Sequence, residues 1–259
     1  MNTRHRFAGM MQIVRFNPAF YAVGSLMVIA GAIVLATCAS SIPAWMQCWG
    51  VIAVVLSAWW LAASLVVSCW VYDASDWPKG AWLTPTLADA TPSRVLNVHA
   101  GFDETTERLR TWLPEAEITP LNVFDESLHT ESSLLRARAT QLPVPGTISA
   151  SHDNWPSSCR DCDAIFFLLT AHEFRTPHTR RALLAQARQA LRHDPPSVIV
   201  LAEHARDLSN FIAFGPGFLH FHSPATWRAD WEAAGLVMTR STSVTPFLRI
   251  WTLQPKEPA

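Results

Sequence analysis

Charge is what the N-terminal part of this sequence lacks. No Asp, Glu, Lys or Arg occurs from Asn17 to Tyr72, whereas charged residues are common from Asp73 onward. A soluble surface needs charges, so the gap excludes an ordinary soluble fold for this stretch. The chain as a whole is close to neutral, with a formal net charge of -1, and nothing global points to nucleic acid. No internal repeat and no low-complexity segment is evident. Cysteine is sparse too. Cys159 and Cys162 form one C-x-x-C (CRDC) without the second pair that a zinc module needs, and His152 and His172 are the nearest residues able to complete a site. Cys38, Cys48 and Cys69 lie in or beside the uncharged stretch, where Cys acts as a small apolar residue.

Within 259 residues, 49% of them hydrophobic, there is room for one good-sized core and a membrane segment. Two apolar runs fill the gap, at about 20–39 (FYAVGSLMVIAGAIVLATCA) and 49–71 (WGVIAVVLSAWWLAASLVVSCWV). Each meets the roughly 20 residues a helix needs to cross the hydrocarbon core. The turn between them, SSIPAWMQC, carries Pro43 and no charge. Trp45, Trp49, Trp70 and Tyr72 fall near the ends, where amphipathic rings settle at a bilayer surface. The pattern predicts an all-α transmembrane hairpin in residues 1–74. A signal peptide would need one shorter run and a cleavage site. Arg4, Arg6 and Arg15 precede the first run with no acid among them, which predicts a cytoplasmic N-terminus. Two crossings return the chain to that side, so the rest is expected in the cytoplasm, against the membrane.

Residues 75–93, rich in Pro, Trp and small residues, read as a juxtamembrane linker, with Trp77 and Trp82 expected at the headgroups. From residue 94 the pattern alternates. Strands are expected at 94–100, 118–124, 147–150, 164–169 and 197–202, with helices at 104–113, 127–141, 180–191 and 225–234, the last ended by Gly235. Two final strands, 237–243 and 247–253, flank Pro246 and must pair antiparallel. Such alternation predicts an α/β fold with a parallel sheet covered on both faces.

Ligands of open α/β sheets bind beyond the carboxyl ends of the strands. The first strand ends in HAGFDE, with Gly101 its only glycine. Asp125 ends the second strand, 24 residues after Gly101 (125 − 101), where an acid can take the hydroxyls of a ribose. Asp153 and Trp155 follow the third strand, a carboxylate and a ring that together suit an adenine. His220 and His222 form H-F-H. If that segment is extended they share one side, a spacing that suits zinc with a third ligand. No carboxylate or Cys is close to them in sequence, and no metal site is assigned. Bland readings stand beside each: Asp125 and Glu126 as helix caps, Asp153 as a turn former, Trp155 as core.

The order of these parts resembles the class I S-adenosylmethionine-dependent methyltransferases over roughly residues 94–253. RVLNVHAGFDETTERL stands at that family's first motif and ITPLNVFD at its second-strand motif. SHDNWPSSCRDCDAIFFLLTAHEF has the layout of its adenine loop and fourth strand. The tail FHSPATWRADWEAAGLVMTRSTSVTPFLRIWTLQP is similar to its closing helix and antiparallel pair, in the style of the quinone-biosynthesis branch. The resemblance implies a Rossmann-like seven-stranded methyltransferase sheet at 94–259 that uses S-adenosylmethionine. Carried over by position, His99, Ala100, Gly101 and Phe102 face the methionine part, Asp125 takes the ribose, and Asp153 and Trp155 hold the adenine. Thr170, His172 and Glu173 border the transfer site, with His172 and Glu173 as the catalytic pair. The first loop departs from the family by its single glycine and by Asn97 and His99. With the membrane hairpin, the expectation is an anchored methyltransferase acting on a hydrophobic, membrane-associated small molecule. The alternative is a catalytically inactive methyltransferase-like binding or scaffold protein at the membrane.

Overall fold

The computed structural model describes residues 7–88, 91–193 and 197–256. Arg4 and Arg6, positions 89 and 90 of the expected linker and the last three residues lie outside the described residues.

The chain opens with a short helix, α1 (Ala8–Phe16), that sequence reading did not separate from the tail. Asn17 breaks it, and Pro18 starts α2 (Pro18–Thr37) at the position where a missing N–H costs nothing. A 3-10 turn at Ala39–Ser41 leads to α3 (Ala44–Cys69), which a π-helical turn, Trp70–Ala74, carries on. Pro18–Thr37 and Ala44–Ala74 are both long and apolar enough to cross a membrane, with mean hydropathy 2.2 in each. The rest of the protein covers 0% of the most apolar window of the first and 11% of the second, so neither is a core helix.

The sheet domain follows the expected alternation. Helix α4 (Leu83–Leu87) precedes β1 (Arg94–His99), α5 (Thr106–Trp112), β2 (Glu117–Asn122), α6 (Ser132–Arg138), β3 (Ile148–Ser149) and β4 (Ala164–Leu168). Then come α7 (Pro177–Ala190), β5 (Val198–His204), α8 (Leu208–Phe214), α9 (Pro224–Ala233), β6 (Leu236–Thr245) and β7 (Leu248–Pro255). The seven strands lie in the order β3-β2-β1-β4-β5-β7-β6. β1 to β5 run parallel, and β7 is antiparallel to β5 and to β6. This is the Rossmann-like seven-stranded sheet, closed by an antiparallel pair, that the sequence resemblance implied. β4 and β5 are buried along their whole length, which is why they read as unbroken apolar runs. One face packs Leu96, Ile165, Phe167 and Ile199 under Leu183, Leu184, Trp227 and Trp231 of α7 and α9. The other packs Val95, Phe166, Val200 and Ile250 under α4.

Helix α7 begins three residues before the expected 180, α9 one before the expected 225, and α8 was not expected. Thr176, Asp207 and Ser223 each accept the backbone N–H three residues on, and Pro177 and Pro224 open α7 and α9. Gly235, with φ +74°, ends α9 as expected. The helix expected over 127–141 shrinks to Ser132–Arg138 because Asp125 and His129 capture backbone groups locally. The Ser127 amide donates to the Asp125 carboxylate at 2.8 Å and the Asp125 amide to His129 Nδ1 at 3.0 Å. Trp77 and Trp82 are not at a headgroup layer. They stack at 5.0 Å between ring centres, 1% and 5% exposed, and pack on Trp112 and Phe166. Two rings that leave water under the sheet contribute several kcal/mol to the core, at about 1.5–3 kcal/mol per large apolar side chain.

The hairpin and the sheet domain are joined by direct contacts. Val67 and Val71 of the α3 end belong to the core under the sheet. Trp59 Nε1 donates to the Ile212 carbonyl at 3.1 Å. Gly215 holds φ +53° with its Cα face against the Trp60 ring, where a Cβ would come within 2.5 Å. Asp73, the first charge after the long gap, receives the amides of Gly9 at 2.7 Å and Met10 at 3.0 Å, so it sits at the positive end of α1. The Arg136 guanidinium donates to the Phe16 carbonyl at 2.7 Å, tying the other end of α1 to α6. Asp73→Ala is therefore expected to loosen α1 by about 1–2 kcal/mol. Amide hydrogen exchange over residues 8–16 should speed up roughly tenfold or more while β4 and β5 are unchanged; unchanged exchange in α1 would contradict the clamp.

Candidate functional site

A cavity of about 410 Å³ lies at the carboxyl ends of β1, β4 and β5. The strand order reverses between β1 and β4, so this is the switch-point crevice of the sheet. Its floor is Ala100, Phe102, Leu169, Thr170, His172 and Glu173, and its roof is Phe16 of α1, Phe20 and Tyr21 of α2, and Ser64 and Ser68 of α3. Phe214 and Phe221 add apolar wall from the segment after β5.

The β1 loop is tied down from within. Asn97 Nδ2 donates to Asp103 Oδ1 at 3.3 Å, Thr105 Oγ1 at 2.9 Å and Thr106 Oγ1 at 2.8 Å, all buried. Asp103 Oδ1 also takes the amides of Thr105 and Thr106, capping α5. His99 is 5% exposed and neither ring nitrogen has a hydrogen-bond partner. Burial pushes its pKa down, against the pull of Asp103. Gly101 turns the chain with φ +85°, but its open face is covered. A Cβ there would stand 3.0 Å from both Arg138 and the Phe124 ring, and the Arg138 guanidinium lies 4.2 Å over that ring.

Five of the residues assigned from sequence stand away from the cavity wall: His99 and Gly101, and with them Asp125, Asp153 and Trp155. Asp125 is half-buried and forms a turn, with Ser127 Oγ donating at 2.6 Å and its amide at 2.8 Å, and these bonds hold the carboxyl below its ordinary pKa. Asp153 is exposed and accepts from Ser151 Oγ at 2.5 Å. Trp155 is 3% exposed and packs in the core with Cys159, Phe167 and Leu183. Ala100, Phe102, Thr170, His172 and Glu173 do meet at the cavity.

The floor centres on residues that were only partly foreseen. Glu203, at the end of β5, is fully buried. Its Oε1 accepts the amides of Thr170 at 3.0 Å and His172 at 3.2 Å, and its Oε2 lies 2.6 Å from His172 Nδ1. Leu169 makes this possible by adopting φ +58°, a left-handed turn that costs about 1–2 kcal/mol for such a side chain. His172 Nε2 faces Glu173 Oε1 at 3.3 Å. Burial alone would lower the His172 pKa, but the Glu203 and Glu173 carboxylates outweigh it and raise the pKa to about 10. Burial likewise raises Glu173, and its bond to His172 more than offsets that, leaving it below the ordinary value.

His220 and His222 separate. His220 ends a 3-10 helix, Gly215–His220, so strand alternation does not apply. His220 turns to His172, with ring centres 5.2 Å apart, and to Glu131, with Nδ1 3.4 Å from Oε1. His222 turns inward, accepts from Arg180 at 3.2 Å and lies against Trp227; burial and then Arg180 lower its pKa to about 3. Glu131 carried no signal in the sequence, because it precedes α6 in an irregular turn. The Glu203–His204 pair was visible at a strand end, but its inward direction was not.

No protein-family model and no curated protein matches the chain. Among solved structures, it is similar to a SAM-dependent methyltransferase from Aquifex aeolicus, with 15% identity over 68% of this chain and 88% of that one, and a TM-score of 0.49. It is also similar to an S-adenosylmethionine-dependent methyltransferase from Clostridium acetobutylicum, with 8% identity, 64% and 85% covered, and TM-score 0.46. A putative O-methyltransferase from Nostoc punctiforme gives 15%, 75% and 59%, and 0.47. Likeness at these values extends no further than the fold.

His204 gives the site a pH response. Its Nδ1 lies 2.8 Å from the Phe247 carbonyl and its Nε2 2.7 Å from the Tyr72 hydroxyl, so the neutral ring donates to the first and accepts from the second. Burial lowers its pKa to about 4. The unfolded chain therefore takes up the proton first. The stabilisation is complete above about pH 6.5 and is lost as pH falls towards 4, at up to about 1.4 kcal/mol per pH unit. His204→Gln can keep both hydrogen bonds without titrating. Denaturant midpoints between pH 4.5 and 7.5 should fall less steeply with acid in this variant; an unchanged slope would contradict the assignment.

Proposed function

We propose that the chain is a membrane-anchored methyltransferase that uses S-adenosylmethionine on a hydrophobic, membrane-associated small molecule. The observation that carries the reading is the cavity: its floor is the switch point of a methyltransferase-type sheet and its roof is the foot of two helices apolar enough to span a bilayer. A guest dissolved in a leaflet reaches such a cavity between α1, α2 and α3 without crossing water, which raises its effective concentration there. The two spans enter and leave on the side of the sheet domain, which the positive-inside rule assigns to the cytoplasm through Arg15 and its neighbours.

The donor set fits the cofactor in its character. Gly101 and the ionised Asp125 stand at adjacent strand ends, and Ala100, Phe102 and Thr170 border the cavity. Phe124 and Arg138 cover Gly101, so the reading requires these two side chains to swing aside. Arg138 is 45% exposed and has room to do so. S-adenosylmethionine supplies an activated methyl group, so the protein's work is alignment. Phe16, Phe20 and Phe221 orient an apolar guest and exclude water. The charged His172 ring donates a hydrogen bond to a guest oxygen, and Glu173 is the neighbouring group able to accept its proton. The cover over Gly101 favours a second reading, a methyltransferase-like scaffold without turnover.

Calorimetric titration of S-adenosylmethionine and S-adenosylhomocysteine into the full chain in detergent decides between them. Micromolar binding is expected, weakened more than tenfold by Asp125→Ala, the loss of charged hydrogen bonds worth about 1.5–3 kcal/mol. Arg138→Ala should bind at least as tightly as the parent. Failure of a folded protein to bind either ligand, in the parent and in Arg138→Ala, would leave the scaffold. Anchoring is read separately: the chain should stay with membranes through an alkaline wash, and release by that wash would refute the spans.

A further inference from the structure

We infer that His172, Glu173 and His220 form a binding site for a divalent first-row transition cation of the zinc type, independent of whether a methyl donor binds. One donor atom from each of the three residues lies within 4.8 Å of the other two. Donors sharing a tetrahedral zinc ion stand roughly 3.3 Å apart. His172 Nε2 and Glu173 Oε1 are already at 3.3 Å, so only the partly exposed His220 ring has to close in.

The surroundings match what a metal centre needs beyond its ligands. The His172 Nδ1 contact with Glu203 at 2.6 Å fixes the ring so that Nε2 points at the site. The His220 ring leans its Nδ1 on Glu131 at 3.4 Å, which leaves its Nε2 as the coordinating atom. Carboxylates behind ligating histidines in this way orient them and raise their basicity. Glu173 Oε2 is buried and has no hydrogen-bond partner, an unmet acceptor that an ion satisfies.

Charge points the same way. With neutral imidazoles, three carboxylates (Glu131, Glu173 and Glu203) face one guanidinium, Arg175, whose Nε is 3.9 Å from Glu131 and whose NH1 donates to the carbonyls of His172 and His220. That leaves two negative charges, which a 2+ ion balances. In the metal-free protein a proton between His172 and Glu173 takes part of that role; an ion entering there releases it and replaces His172 as the group that meets the guest oxygen. Two imidazoles and one carboxylate favour zinc, iron(II) or cobalt(II) over magnesium, which prefers oxygen. They also leave coordination positions open towards the cavity, where an oxygen of the guest can bind.

The test is Co²⁺ and Zn²⁺ binding to the chelator-stripped full chain in detergent, read by visible Co²⁺ absorption and by metal content after gel filtration. One equivalent is expected, not displaced by millimolar Mg²⁺. Glu173→Gln, nearly isosteric, and His220→Asn, at a partly exposed position, should each weaken binding at least about tenfold. Glu203→Gln, acting through His172, should weaken it by about 10–100-fold. Cys159→Ser with Cys162→Ser should change nothing. Absence of stoichiometric binding, displacement by Mg²⁺, or binding lost with the cysteines but kept in Glu173→Gln and His220→Asn would each overturn the assignment.

Discussion

The structure depends on α3 running without a break from an uncharged hairpin into the core under the sheet. Val67 and Val71 are part of that core, Tyr72 reaches His204 at the end of β5, and Asp73 holds the start of α1. Each of these residues lies within two turns of the point where charge returns to the sequence. Through these contacts, α1 and the feet of both long helices are held over the carboxyl ends of β1, β4 and β5. Without it the switch point would be an open crevice, and the cavity exists because the hairpin closes it.

Below that roof, the floor is organised by one carboxylate. Glu203 is fully buried, and three donors from the β4 turn saturate it. Burying a carboxylate is costly unless it is paired and hydrogen-bonded, and the left-handed turn at Leu169 delivers those partners. His172, Glu173, His220 and Glu131 then follow as a connected polar patch in a cavity wall that also carries Phe16, Phe20 and Phe221, the pattern expected of a ligand site.

The sheet was legible because its evidence is local. Buried strands such as AIFFL and VIVLA are apolar runs of the right length, and α7 and α9 carry apolar residues at helical spacing, though the Thr176-Pro177 start of α7 went unread. The two long helices showed in composition alone. Less legible was anything decided across the chain. Trp77 and Trp82 look like interface residues until α4 folds them beneath Phe166. Asp125 looks like a ligand because of its distance from Gly101, while its own turn with Ser127 is settled within two residues. The meeting of Glu131, His172, Glu203 and His220 spans 89 positions (220 − 131) and three loops, and no spacing rule marks it.

The unbroken joint at Val71–Asp73 has a consequence for selection. If the hairpin crosses a bilayer, as proposed above, the continuous helical joint sets the height of the cavity floor above the acyl chains. Such a molecule would work as a depth gauge. It would sort lipophilic guests by how far their polar end rises from the membrane plane, indifferent to the length of the tail left behind in the leaflet.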